Sequence, residues 1–432
     1  MRILLLFSFF IIIDSLFAQD GLTLLSRLEL NFEDSIAGQS RITDVWGYEH
    51  PVSGKDYALV GNEGVAIVDA GNPFNPIVIA HVPKVSFFDI KTWKNYIYTV
   101  NGSSNGNGHV IDISDINNPI VVGTFPSAHN IFIKSDGLMY ASNGKIYDLN
   151  SDPTFPQLII DDEQLKGHDA FFKGDKLYVF GANTRPTRIF DFSAPLSFQL
   201  ITEIQDPQIQ YHHSGWVTED DKYLYICDEF AREQVADITV WDISNINDPE
   251  KIKEFVDPSA IAHNLFVKNK YAYVSYYTAG LRIFDLENPQ EPILTAQFDT
   301  GPDEGENFGG AFGVYPYTNS GIIFVSDRTT GLAIFSFDSE ENKTNKQQIE
   351  WIAYPNPNGG IFEIIANNVH NKETYVIGMN PLGQQVYQSK PIITGGLLYA
   401  PVSIKDLGVG TYIFYVVNEQ DRIAKKVFIT EN

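Results

Sequence analysis

The chain has a single cysteine in 432 residues, Cys227, which excludes an internal disulfide framework. It sits in the apolar run Tyr223-Leu224-Tyr225-Ile226-Cys227 and reads as a packed core thiol. Bases are scarce, with 30 Lys and Arg against 54 Asp and Glu. The formal charge of −24 therefore speaks against nucleic acid or an anionic membrane surface as partner. Beyond the first 18 residues no apolar run is long enough to span a bilayer. Catalytic signatures are missing too: there is no Gly-x-Ser-x-Gly elbow and no His-Glu-x-x-His helix. The glycine-rich run 102–108 lacks the lysine and the following helix of a phosphate loop. Stability has to come from apolar packing, which 30 Phe and 22 Tyr can supply.

What is present is a repeat. An apolar strand ending in Asp, then a Pro-containing turn, then a second apolar strand, recurs with its Asp at 69, 112, 148, 191, 242 and 285. A degenerate seventh copy reads Leu332-Ala333-Ile334-Phe335-Ser336. The spacing, 36 to 51 residues, is one propeller blade, and four short strands with no helical pattern fit into each period. Inner strands are expected near Ile42, Phe87, Ala128, Gly167, His212, Ile261 and Phe308, giving seven blades. The last blade runs out at Asp338 with three strands, so Leu22–Leu30 is expected to supply the fourth and close the ring. The repeated Asp residues are expected to cap turns by accepting backbone N–H bonds.

The two ends differ from the repeat. Arg2, the apolar run Ile3–Ile13 and Ser15-Leu16-Phe17-Ala18 read as a secretory signal peptide over residues 1–18, with no cysteine after it for lipid anchoring. Residues 19–338 are then the propeller, and the polar stretch 339–350 is a linker. Residues 351–432 carry short β runs without the blade period, most simply a small Ig-like β-sandwich. Six acids balance six bases there, so all of the excess negative charge lies before residue 351.

The tail closely resembles the type A C-terminal sorting domain of the type IX secretion system of Bacteroidetes. The matching residues are Tyr354-Pro355-Asn356-Pro357 with Gly360, Pro381-Leu382-Gly383, Leu407-Gly408-Val409-Gly410-Thr411-Tyr412 and Lys425-Lys426. Asn380 stands where many members have Asp. The resemblance implies export, the secretion machinery as partner, and an extracellular or outer-membrane-surface location. The repeats resemble the LVIVD repeat and the choice-of-anchor B family, on Val65-Ala66-Ile67-Val68-Asp69 and Leu281-Arg282-Ile283-Phe284-Asp285. That resemblance implies an extracellular propeller and no particular reaction. Asp34-Ser35-Ile36 resembles the short O-glycosylation acceptor of Bacteroidetes.

Candidate chemistry lies at the start of the inner strands, where His or Asp recurs at Asp44, Asp89, His129, His168, His213 and His263. Imidazoles and carboxylates gathered at one mouth are ligand types for a divalent metal such as zinc. Blades spaced like facing sheets give a ring of about 11 Å radius, so one ion is expected to bridge two or three neighbours, with His129, His168 and His213 the best trio. Alternatively, each histidine bonds to backbone of the next blade and locks the ring. His212 should point away from this set. In the loop 299–307, Asp303, Glu304 and Glu306 are hard-cation ligand types that would suit calcium, although their spacing is not that of an EF-hand. Two functions follow: a binding module presenting loops to an extracellular protein or glycan, or a metal-dependent extracellular hydrolase.

Overall fold

The computed structural model describes residues 18–19, 21–32, 42–194, 197–231, 236–257, 259–338, 349–367, 369, 373–418 and 422–431. Leader residues 1–17, Asp34-Ser35-Ile36 and the linker segment 339–348 lie outside the described residues. All regular structure described is β-strand, and no helix is long and apolar enough to cross a membrane.

Seven antiparallel sheets form a closed propeller. Their innermost strands are Ile42–Glu49, Asp89–Trp93, Ile131–Ile133, Asp169–Lys173, His212–Val217, Leu265–Lys268 and Ala311–Tyr315. Each lies against the next, and the seventh lies against the first. The third strands carry the repeat and are buried on both faces: Val65, Ala66, Ile67 and Val68 of blade 1 expose nothing. This explains their uninterrupted apolar sequence.

The six repeated aspartates cap turns. Asp69, Asp112, Asp148, Asp191, Asp242 and Asp285 each accept the N–H two residues on through Oδ1, at 2.7–3.0 Å. The bond turns the chain out of the third strand without spending a ladder hydrogen bond.

Closure uses chain from both ends of the propeller. Leu22–Leu28 pairs antiparallel with Gly331–Phe337, setting Leu22 opposite Phe337 and Leu28 opposite Leu332. Gly331 permits the tight approach: its φ is +104° and a Cβ there would meet the Leu28 carbonyl oxygen at 2.2 Å.

The C-terminal β-sandwich has two four-stranded sheets. One contains Glu350–Tyr354, Ile361–Asn367, Leu397–Ser403 and Ile392–Thr394; the other contains Gln385–Ser389, Tyr375–Met379, Gly410–Val417 and Arg422–Ile429. Trp351, Phe362, Phe414 and Val427 fill the space between them. The sandwich rests on the seam where the propeller closes. Its Ile365, Leu397 and Tyr399 share one apolar cluster with Leu25 of the closing strand, Ile322 and Leu332 of blade 7, and Val60 and Ala70 of blade 1. Lys55 Nζ lies 3.7 Å above the Tyr354 ring, and Asn367 Nδ2 donates to the Asn319 carbonyl at 3.2 Å.

Candidate functional site

Residues within two positions of the start of six of the seven innermost strands come together around the propeller axis. At one level these residues are Phe88, His129, His168, His213, His263 and Phe312, whose rings form a closed belt. Successive centroids are 4.8, 4.1, 4.5, 4.4 and 4.1 Å apart, and Phe88 to Phe312 closes the loop at 5.7 Å. The imidazoles are much closer than facing-sheet spacing suggests, because blades converge at their inner ends. Rings in mutual contact narrow the axis at this level.

The histidines are oriented by their neighbours. Nδ1 of His168 faces the His213 carbonyl at 3.3 Å, Nδ1 of His213 the His263 carbonyl at 3.1 Å, and Nδ1 of His263 the Phe312 carbonyl at 2.6 Å. A carbonyl only accepts, so Nδ1 carries the proton and Nε2 keeps its lone pair. His129 turns the other way, bonding the Gly102 carbonyl at 2.8 Å. Burial holds His168 and His263 well below the usual imidazole range and lowers His213 as well. His212 points away from the belt, to Thr187 Oγ1 at 2.9 Å, with burial bringing it down to about 4.

Glu229 completes this level. It follows the strand Tyr223–Asp228 and brings its carboxylate under the belt, with Oε2 3.6 Å from His213 Nε2 and Oε1 3.8 Å from His263 Nε2. The Tyr277 hydroxyl donates to Oε1 at 2.6 Å. Among the described residues, His168, His213 and Glu229 have one donor atom each within 4.8 Å of one another. Tyr211, Phe230 and Phe308 roof the cluster, Tyr211 lying 5.1 Å from His168 and Phe308 5.3 Å from Tyr277.

Asp44 and Asp89 are not part of this level. They belong one residue further along the strands, with Asn130, Asp169, Ser214 and Asn264, around an axial cavity of about 30 Å³. Lys91 Nζ bonds both carboxylates, Asp44 at 3.2 Å. Burial opposes the Lys91 charge, but Asp89 and Asp44 outweigh it and hold the amine protonated. Burial and the Asp89 charge push Asp169 up to about 7. The structure thus separates the six sequence candidates into a histidine level and an aspartate level.

The loop carboxylates are placed near the same mouth but do not converge. Asp303 accepts from Thr329 Oγ1 at 2.5 Å, Glu304 is exposed, and Glu304, Glu306 and Asp303 form no three-donor group among the described residues. Cys227 is fully buried, and burial pushes its thiol up, as a core residue requires. Glu229 escaped sequence reasoning because it stands outside the repeat. The signal was the longer interval between Asp191 and Asp242, which marks the blade 5 loop that carries it.

The tail motifs are structural. Asn356 bridges to the last strand, donating to the Lys426 carbonyl at 3.0 Å and accepting from the Phe428 N–H at 2.8 Å. Both Tyr354-Pro355 and Asn356-Pro357 are cis. Gly360 and Gly383 take left-handed φ of +90° and +78°. Asn380 Oδ1 accepts the N–H groups of Leu382 and Gln384, serving the turn as Asp would. Tyr412 donates to the Gly408 carbonyl at 2.7 Å, Gly410 pairs with Ile429, and Lys425 lies 5.7 Å from the Trp351 ring.

Residues 352–430 match the family described as Secretion system C-terminal sorting domain, and residues 260–300 match the LVIVD repeat. The chain is thus an exported propeller: its sorting domain marks it for type IX secretion to the cell surface or extracellular space. No curated protein matches the chain. Among solved structures it is similar to PorZ, an essential bacterial surface component of the type IX secretion system of Porphyromonas gingivalis, at 11% identity and TM-score 0.37. That match covers 87% of this chain, which spans 64% of PorZ. A Lactobacillus plantarum protein is similar over 84% of this chain and 99% of its own, at 11% identity and TM-score 0.46. Raptor from Chaetomium thermophilum is similar over 74% of this chain and 29% of its own, at 12% identity and TM-score 0.50. At 12% identity the likeness to Raptor bears on fold alone.

Proposed function

We propose that the protein is an interaction module of the bacterial surface, of the choice-of-anchor B kind found in Bacteroidetes. In this reading residues 1–18 are a signal peptide, 19–338 the functional propeller, 339–350 a linker, and 351–432 the address read by the secretion machinery. The observation that carries it is the belt of six rings. With the axis narrowed by this belt, recognition of a protein or glycan falls to loops and outer faces. The outer strands support this: Ile120 and Ile293, at the same place in blades 2 and 6, are 63% and 68% exposed. The test compares surface-retained and released protein for the full chain and for Ile120→Asp/Ile293→Asp. Lower retention of a folded variant is expected. Unchanged retention, together with turnover in a hydrolase screen, would overturn the reading.

A second reading, an extracellular metal-dependent hydrolase, is favoured by the convergence of His168, His213 and Glu229. It requires turnover that disappears with the metal.

A further inference from the structure

The histidine level gathers metal-ligand types: His168, His213 and Glu229 each offer one donor atom within 4.8 Å of one another. Because Nδ1 of His213 and of His263 is spent on a backbone carbonyl, their Nε2 atoms present lone pairs to Glu229. At 3.6 and 3.8 Å these approaches are too long for hydrogen bonds and set acceptor against acceptor. His168 brings a third lone pair into the same group.

We propose that His168 Nε2, His213 Nε2 and the Glu229 carboxylate hold one divalent first-row transition-metal ion at this mouth of the propeller. Two imidazoles and one carboxylate are a ligand set of zinc and of its neighbours in that row. The outer contacts are those of a metal site: imidazole Nδ1–H on backbone carbonyls, and a tyrosine hydroxyl on the carboxylate. Bonds of about 2.1 Å in a tetrahedron set donors about 3.4 Å apart. The widest separation here is 4.8 Å, so binding draws the group inward by about one ångström. Glu229 supplies most of that movement, since it stands just beyond a strand end whereas the histidines are fixed in the belt. The fourth position falls to water or to His263, whose Nε2 already lies beside Glu229 Oε1.

This site is independent of the interaction reading, and it would furnish the centre that the hydrolase reading needs. The full chain is stripped with chelator and titrated with Zn²⁺ or Co²⁺, with metal content and the visible absorption of cobalt as readouts. One ion per chain is expected, with at least tenfold weaker cobalt binding in Glu229→Gln and in His168→Gln. Glu229→Gln keeps the shape and the Tyr277 hydrogen bond, so it reports ligation even where a histidine variant fails to fold. A folded wild-type chain that takes up no stoichiometric metal overturns the proposal. So does metal binding that both variants leave unchanged. Metal uptake is read apart from turnover, so an inert metalloprotein would retain this site while defeating the hydrolase reading.

Discussion

Replacing Leu22 by alanine tests whether the N-terminal strand closes the ring. Leu22 is fully buried among Leu281, Ile283, Ile323, Val325 and Phe335, so its truncation removes methyl groups from both blade 6 and blade 7. Leucine-to-alanine changes at such sites cost about 3 kcal/mol, the lost transfer energy plus the cavity left behind. A propeller of about 300 residues has an unfolding entropy of about 0.6 kcal/mol per kelvin. The unfolding midpoint should therefore fall by about 5 °C in calorimetry of the full chain. Gly331→Ala attacks the same seam in the opposite sense, adding a Cβ 2.2 Å from the Leu28 carbonyl oxygen at a φ of +104°. It too should lower the midpoint. Ile120→Ala, at a residue 63% exposed on an outer strand, is the control and should move it by less than about 1 °C. If both seam variants unfold with the control, the pairing of Leu22–Leu28 with Gly331–Phe337 does not hold the ring, and the closure argument fails.

Asp112→Ala should cost about 1 kcal/mol in denaturant unfolding through loss of the Ser114 N–H bond, whereas Asp112→Asn, which can still accept that bond, should cost little; equal losses would refute the capping role. Asp237 is buried, and burial foremost, with the Asp257 charge, pushes it up to about 8. Its folded form therefore holds a proton more tightly than its unfolded form, so its stabilising contribution is full at low pH and is lost as pH rises from about 4 to about 8. Asp237→Asn should remove that decline, so its midpoint should gain on wild type between pH 5 and 9; parallel curves would show that Asp237 does not titrate there.

How much of this was legible in the sequence depends on how local the chemistry was. The repeated aspartates, their turns and the uninterrupted third strands are set by bonds and burial within a few residues, so blade count and closing strand could be read directly. The tail was read less completely. Leu397–Ser403 sits at the centre of one sandwich sheet, yet it follows two glycines and carries a proline, which hides its strand character. At the site, Asp44 and Asp89 were aligned with the histidines because both types recur near inner-strand starts. The true histidine-level partner in blade 2 is Phe88, and an aromatic that merely closes a belt leaves no chemical mark in a sequence. Glu229 lies outside the period altogether, and only the folded loop brings it beneath His213.

The two axial levels meet the same electrostatic problem in different ways. Around the small cavity, Asp44, Asp89 and Asp169 share the single amine of Lys91, an excess of negative charge in a site with little water. A carboxyl group can relieve that excess by keeping its proton: burial raises Asp44 well above the usual range and brings Asp169 to about 7. One residue away, imidazoles lie beside a carboxylate, and burial acts on imidazole in the reverse direction by disfavouring the charged form. Adjacent positions on the same inner strands thus differ in kind: one level sets carboxylates around a lysine amine, the other sets imidazoles beside a carboxylate.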